Sequence, residues 1–155
     1  FVIDTAFRLE DSNPVGQMLL PQNALENRLS LVDAFLGPGP AREMIENFAE
    51  VAWSWHGRLV RATRAVVTPE VDALRKRTEG YLEGVPRPLM SADGEPVVCP
   101  TFRFGDTIVR TIGMTMQFGP SRDITLEGLS VDLLCPRDEV AERFFRGLAV
   151  NSPQP

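Results

Sequence analysis

The only histidine of the chain, His56, sits in AEVAWSWHGRLVRATR (49–64), behind two tryptophans and ahead of three arginines. An imidazole held near a carboxylate can have its pKa moved into a range useful for acid–base work. Ala49 and Ala52 lie two turns and one turn before it and leave room beside the ring. The plainer reading is that His56 fills that space and bonds a backbone carbonyl. Glu46 and Glu50 project to the polar side of the same helix, so an orienting acid has to come from another element.

The arginines suggest a second chemistry, anion binding. Arg58, Arg61 and Arg64 form a stripe along the end of that helix, followed by Arg75-Lys76-Arg77. A guanidinium grips a phosphate or carboxylate in bidentate fashion; equally, cations near a helix C-terminus complement its dipole and solvate its outer face. Arg110, in DTIVRTIGMTMQF, alternates in phase with Ile108, Ile112, Met114 and Met116. If that face is buried, Arg110 either extends to solvent along its aliphatic stem or pairs with a carboxylate in a pocket. The alternate face, Thr107, Thr111, Thr115 and Gln117, reads as solvated.

Cys99 and Cys135 are too few and too distant for a disulfide framework or a zinc site, so no metal is expected; they read as reduced thiols of a cytoplasmic protein. VVCPT (97–101) resembles the reactive-cysteine segment of peroxiredoxins over five residues. Pro96 stands where that family places a threonine, and the thioredoxin-like βαβ order is missing. Each cysteine precedes a proline and is expected to end a strand as a small buried apolar residue. The phosphate loop, the GxSxG elbow, HExxH, CxxC and the EF-hand loop are all absent, and no cofactor is implied.

These residues need a scaffold. FVIDTAFRL (1–9) alternates as one half-buried strand, and DSNPVG follows as a loop. Residues 21–36 carry Leu25, Leu29, Val32 and Leu36 at helical spacing, and Gly37-Pro38 stops the helix. A longer helix is predicted over 40–63, with Met44, Ile45, Phe48, Val51, Ala52, Trp55 and Leu59 in one arc and Glu43, Asn47, Glu50, Ser54, Arg58 and Arg61 opposite. Thr68-Pro69-Glu70 starts a third helix running to Gly84. After a Pro/Gly-rich loop holding a tight turn in SADGE, the period changes to two: Phe102 and Phe104, a Gly105-Asp106 turn, the long strand of Arg110, a GPSRD turn (119–123), and a return strand from Ile124. In that return strand Leu129, Val131 and Leu133 are out of phase with Ile124 and Leu126, which predicts a bulge near Gly128 that keeps them inward. The last helix opens at Pro136 with Val140, Phe144 and Leu148 inward and Glu139–Arg143 and Glu142–Arg146 as exposed pairs. Residues 151–155 form a frayed tail.

The 155 residues suit one domain, 1–150. With 43% hydrophobic and 24% charged residues the chain should fold without staples. A net charge of -5 opposes phosphate backbones, so nucleic acid is not an expected partner, and no apolar run is long enough to span a membrane. Opening on Phe1 rather than Met is compatible with a removed leader or a preceding domain. The order strand, helices, antiparallel strands, helix defines an α+β fold: an antiparallel sheet, made of the N-terminal strand and a C-terminal hairpin meander, packed on a long central helix with additional helices. A strand, a long apolar-faced helix and antiparallel strands including FGDTIV resemble the hotdog fold of acyl-thioester dehydratases and thioesterases. That resemblance implies an enzyme acting on an acyl thioester or small anionic ligand, with His56 as base and Arg110 or Arg58 as anion holder. The expectation placed ahead of it is a non-catalytic interaction or assembly domain that self-associates or binds a protein partner, because the apolar arc, with Trp53 and Trp55 at its interface edge, is wider than one sheet face covers. An enzyme needs His56, Arg110 and a carboxylate to meet in one pocket; an interaction domain needs an exposed apolar patch near Trp53 or the hairpin.

Overall fold

The computed structural model describes residues 1–65, 68–89, 98–117 and 128–151. It is α+β, as the sequence indicates, with a five-stranded antiparallel sheet and six helices among the described residues. The elements are β1 (Val2–Ile3), β2 (Leu9–Asp11), α1 (Pro14–Gln17), α2 (Leu31–Leu36), α3 (Pro40–Glu43), α4 (Phe48–Ala65), α5 (Pro69–Tyr81), β3 (Thr101–Phe104), β4 (Thr107–Gln117), β5 (Ser130–Pro136) and α6 (Glu139–Asn151). The strand order is β2-β1-β5-β4-β3. The expected turns at 91–95 and 119–123, the start of the return strand at 124–126, and residues 152–155 lie outside the described residues.

The predicted single first strand is a hairpin. Asp4 Oδ1 accepts from the backbone N–H groups of Ala6 and Arg8 at 2.8 and 2.9 Å, and Phe7 takes φ 62°, which folds 1–9 back on itself. The DSNPVG loop contains α1, because Asn13 Oδ1 caps Gly16 N–H at 2.7 Å and Pro14 occupies the first turn. The helix expected over 21–36 shortens to Leu31–Leu36. Asn23 and Arg28 have positive φ, and the backbone around Ser30 is taken by the first hairpin: Leu9 N–H bonds Leu29 O at 3.0 Å and Leu31 N–H bonds Phe7 O at 2.8 Å. Ser30 Oγ then caps Val32 N–H.

A similar competition divides the predicted long helix. Residues 44–46 leave helical geometry and line the free edge of β3, with Arg103 N–H on Met44 O at 2.7 Å and Glu46 N–H on Thr101 O at 2.8 Å. Asn47 completes the edge through its side chain: Oδ1 accepts from Thr101 N–H at 2.9 Å and Nδ2 donates to Cys99 O at 3.0 Å. Its own carbonyl accepts Val51 N–H and opens α4. By contrast α5 begins at Thr68 and Pro69 as the local signals require, and buries Val71, Leu74 and Thr78.

The sheet is turned over relative to the sequence reading. β4 and β5 pair in regular register from Thr111↔Pro136 to Gln117↔Ser130. The inward face carries Val109 and Thr111, 0% and 1% exposed, then Gly113 and Thr115, beside Asp132 and Leu134. Thr111, expected in solvent, donates its hydroxyl to Pro100 O at 2.6 Å. Ile112, Met114 and Met116, expected inside, are 42%, 47% and 55% exposed and share the outer face with Val131 and Leu133. Gly128 and Leu129 precede β5, so the bulge expected there falls before the paired strand. Alternation says which residues share a face; the neighbours packed on it decide which face is inside.

The core joins β1, β2, α2, α4, α5 and the inner sheet face, with Ile3, Leu9, Leu31, Leu36, Leu59, Leu74, Phe102 and Val109 all under 2% exposed. α6 closes one end, stacking Phe144 on Phe104 with ring centres 4.5 Å apart. Asp138 caps it through Ala141 N–H; Phe144 lies inward as expected, Ala141 is buried beside it, and Val140, expected inside, is 42% exposed. The exposed pairs Glu139–Arg143 and Glu142–Arg146 form as expected.

Two measurements check these anchors. Asn47→Ala should lower unfolding free energy by about 1–3 kcal/mol, because two strand-edge backbone groups lose their partner; urea denaturation giving a loss below about 0.5 kcal/mol contradicts this. Tyr81 is the only tyrosine of the chain, and burial, reinforced by the Asp33 carboxylate its hydroxyl bonds at 3.0 Å, raises its pKa above the ordinary value. The folded state therefore favours the neutral phenol, a stabilisation present below the ordinary pKa and lost as pH rises through the folded one. Near-ultraviolet titration should show ionisation at higher pH in the folded protein than in denaturant.

Candidate functional site

The sequence-predicted residues do not meet. His56 is on the side of α4 that faces α5, where Nε2 is 3.5 Å from Glu79 Oε1 and the ring stands edge-on to Trp53. Glu79 is the acid from another element that the sequence leaves unnamed, and it is shared with the Arg75 guanidinium. Arg75 and Lys76 both bond Asp72, and Arg77 bonds Asp33 at 2.8 Å, so the basic run of α5 is paired internally. Hydrogen bonds from Lys76 and Arg75 hold the Asp72 carboxyl below its usual pKa.

Arg110 is on the outer sheet face in the first half of β4, opposite Thr101 of β3. Its apparent conflict with an apolar face disappears because that face is outward: the side chain is 57% exposed and reaches Asp138 at 3.4 Å. The Ala141 N–H, with Arg110 as a lesser contributor, holds the Asp138 carboxyl below its usual pKa. Trp53 donates its indole N–H to the carbonyls of Val85 and Pro86 while Arg87 lies over its ring, fastening the chain after α5 to α4. Trp55 faces the other way, toward the sheet.

That second side of α4 makes a cleft of about 210 Å³ against the inner sheet face. Its apolar wall is built by Phe35, Val51, Trp55, Phe102 and Leu134. Ser54, Arg58 and Arg61, read from the sequence as a solvated stripe, line it instead, because α4 lies between α5 and the sheet and has two interior sides. Arg58 spans the cleft to β5 with Nη1 3.0 Å from Asp132 Oδ2 and Nη2 3.3 Å from Oδ1, while its guanidinium lies within 5.5 Å of the Phe7 and Trp55 ring centres. Both oxygens of Asp132 are engaged, and Arg58 is neutralised in place. Arg61, one turn further and exposed, lines the same cleft and has no ion pair among the described residues. Its guanidinium lies back along the helix beside Gly57, where an added Cβ would stand 3.5 Å from Nη1, an ordinary contact distance.

Asp132 is not among the residues the sequence singles out. Its signal is a lone carboxylate between Val131 and Leu133 in an otherwise apolar strand. Gly113 escapes notice too: it lines the cleft, and a Cβ placed on it would meet open space. The cysteines are half-buried rather than buried. Cys99 precedes β3 instead of ending a strand, and its sulfur accepts Gly113 N–H at 3.3 Å; Cys135 lies one residue from the end of β5. No cluster of three or more metal-ligating side chains occurs among the described residues.

The Arg58–Asp132 pair gives a direct test. Asp132→Leu should cost about 1–3 kcal/mol, less than a fully buried pair because Arg58 is partly solvated. Adding Arg58→Met should recover part of that loss, because no charge is then left unpaired; a double variant weaker than the sum of the single ones contradicts this coupling.

Searches against protein-family models, curated proteins and solved structures found no match to this chain, so its likeness to the hotdog fold rests on element order alone.

Proposed function

We propose that this chain is a non-catalytic interaction domain whose partner is a second copy of itself, docked through the outer face of β4 and β5. The observation that carries this is the apolar row Ile112, Met114 and Met116, each more than two-fifths exposed, beside Val131 and Leu133. Contiguous apolar surface of this kind is commonly covered in an assembly. Sheets stack face to face, and a self-complementary face forms a two-fold contact. The molecule as a whole carries -5, but among the described residues the one charge on this face of β4 and β5, Arg110, pairs with Asp138. Two copies can therefore approach here without burying like charges. Methionine side chains adapt to an imperfectly matched surface.

The separation of His56, Arg110 and the cleft supports the non-catalytic side of this reading, since acid–base chemistry needs its groups within hydrogen-bond reach of one substrate. No helix among the described residues is long and apolar enough to cross a membrane.

Light scattering across the micromolar range tests the reading. The parent mass should rise with concentration toward that of a dimer, and Met114→Glu, which places a charge at the centre of the row, should remain monomeric with an unchanged circular dichroism spectrum. A parent that stays monomeric throughout, or a variant that associates equally well, overturns it.

A further inference from the structure

On the opposite side of the sheet from that docking face, the geometry points to the α4 cleft as a binding site for a small amphipathic carboxylate, its apolar body between Trp55 and Phe102 and its head on Arg61. The cleft has an apolar wall of Phe35, Val51, Phe102 and Leu134, and polar groups enter it from Ser54, Arg58, Arg61, Thr115 and Asp132 and from the amino group of Phe1, which donates to Asp132 O at 3.0 Å. At about 210 Å³ it is smaller than the roughly 300–1,000 Å³ of drug-sized sites, which limits the occupant to one ring or a short acyl chain.

Charge selects the head group. Arg58 and Asp132 cancel, each holding the other through two hydrogen bonds. Arg61 adds one positive charge at the rim and has no ion pair among the described residues, so the lining side chains together are complementary to an anion. A cationic head would meet Arg61 unscreened.

Gly113 supplies the space. It occupies the inward position of β4 between Thr111 and Thr115, where a side chain would project into the cleft, and it has open space where a Cβ would be. Glycine weakens a strand interior and often marks close approach by another group. Here the vacancy extends the cleft.

Octanoate is a suitable probe, with octylammonium as the charge control and Trp55, in the cleft wall, as a fluorescent reporter. Octanoate should shift the emission saturably in the millimolar range or below, and octylammonium should not. Arg61→Gln, a change at an exposed side chain, should weaken octanoate about tenfold or more. Gly113→Leu should abolish binding without lowering thermal stability, because the new side chain fills space that is already open. Failure of octanoate to saturate, equal binding of octylammonium, or undiminished binding by either Arg61→Gln or a folded Gly113→Leu overturns the assignment. Self-association through the outer face stands or falls separately, on the mass of Met114→Glu.

Discussion

The pairing of residues 44–47 with the edge of β3 is the constraint on which the rest of this fold depends. Four hydrogen bonds, from Arg103 N–H to Met44 O, from Glu46 N–H to Thr101 O and the two made by the Asn47 side chain, end one helix, start the next and fix where α4 leaves the sheet. They also protect part of a sheet edge that would otherwise present free backbone groups. From that origin α4 must cross the inner face, and Arg58 bound to Asp132 fixes its far half. A helix tied at both points cannot settle onto the strands everywhere, and the cleft is the space left between the ties.

Local signals in the sequence were sufficient where structure is decided locally. Thr68 and Pro69 start α5, Gly105 at φ 57° turns β3 into β4, and the four-residue pairs of α6 form because all the required partners are neighbours along the chain. The predictions for 21–36 and 40–63 had the right apolar spacing but ran on, because strands far away in sequence claim the backbone at Ser30 and Ile45. No helical period records such a claim. The same limit explains β4: its strict alternation was legible, yet Thr111 lies inside because Pro100 offers its carbonyl there, while Met114 and Met116 lie outside.

The candidate site was legible as residue types and not as an arrangement. Arg58, Arg61 and Trp55 were visible as a polar stripe and an apolar arc, and the structure joins them because all three line the cleft between α4 and the sheet. His56 and Arg110 looked more distinctive, one for its rarity and one for its phase. Each has a nearby carboxylate that accounts for it, Glu79 and Asp138. A side chain that breaks a pattern is informative only once the direction of its face is known.

Gly113 sets two properties of the molecule against each other. Almost any other residue at that point would stiffen β4, since strand propensity rises with side-chain bulk and branching. The same bulk would occupy the hollow beneath α4, where nothing among the described residues lies within 4 Å of an added Cβ. Sheet rigidity and internal capacity are thus governed by one atom position, and the chain as it stands gives up some of the first to keep the second.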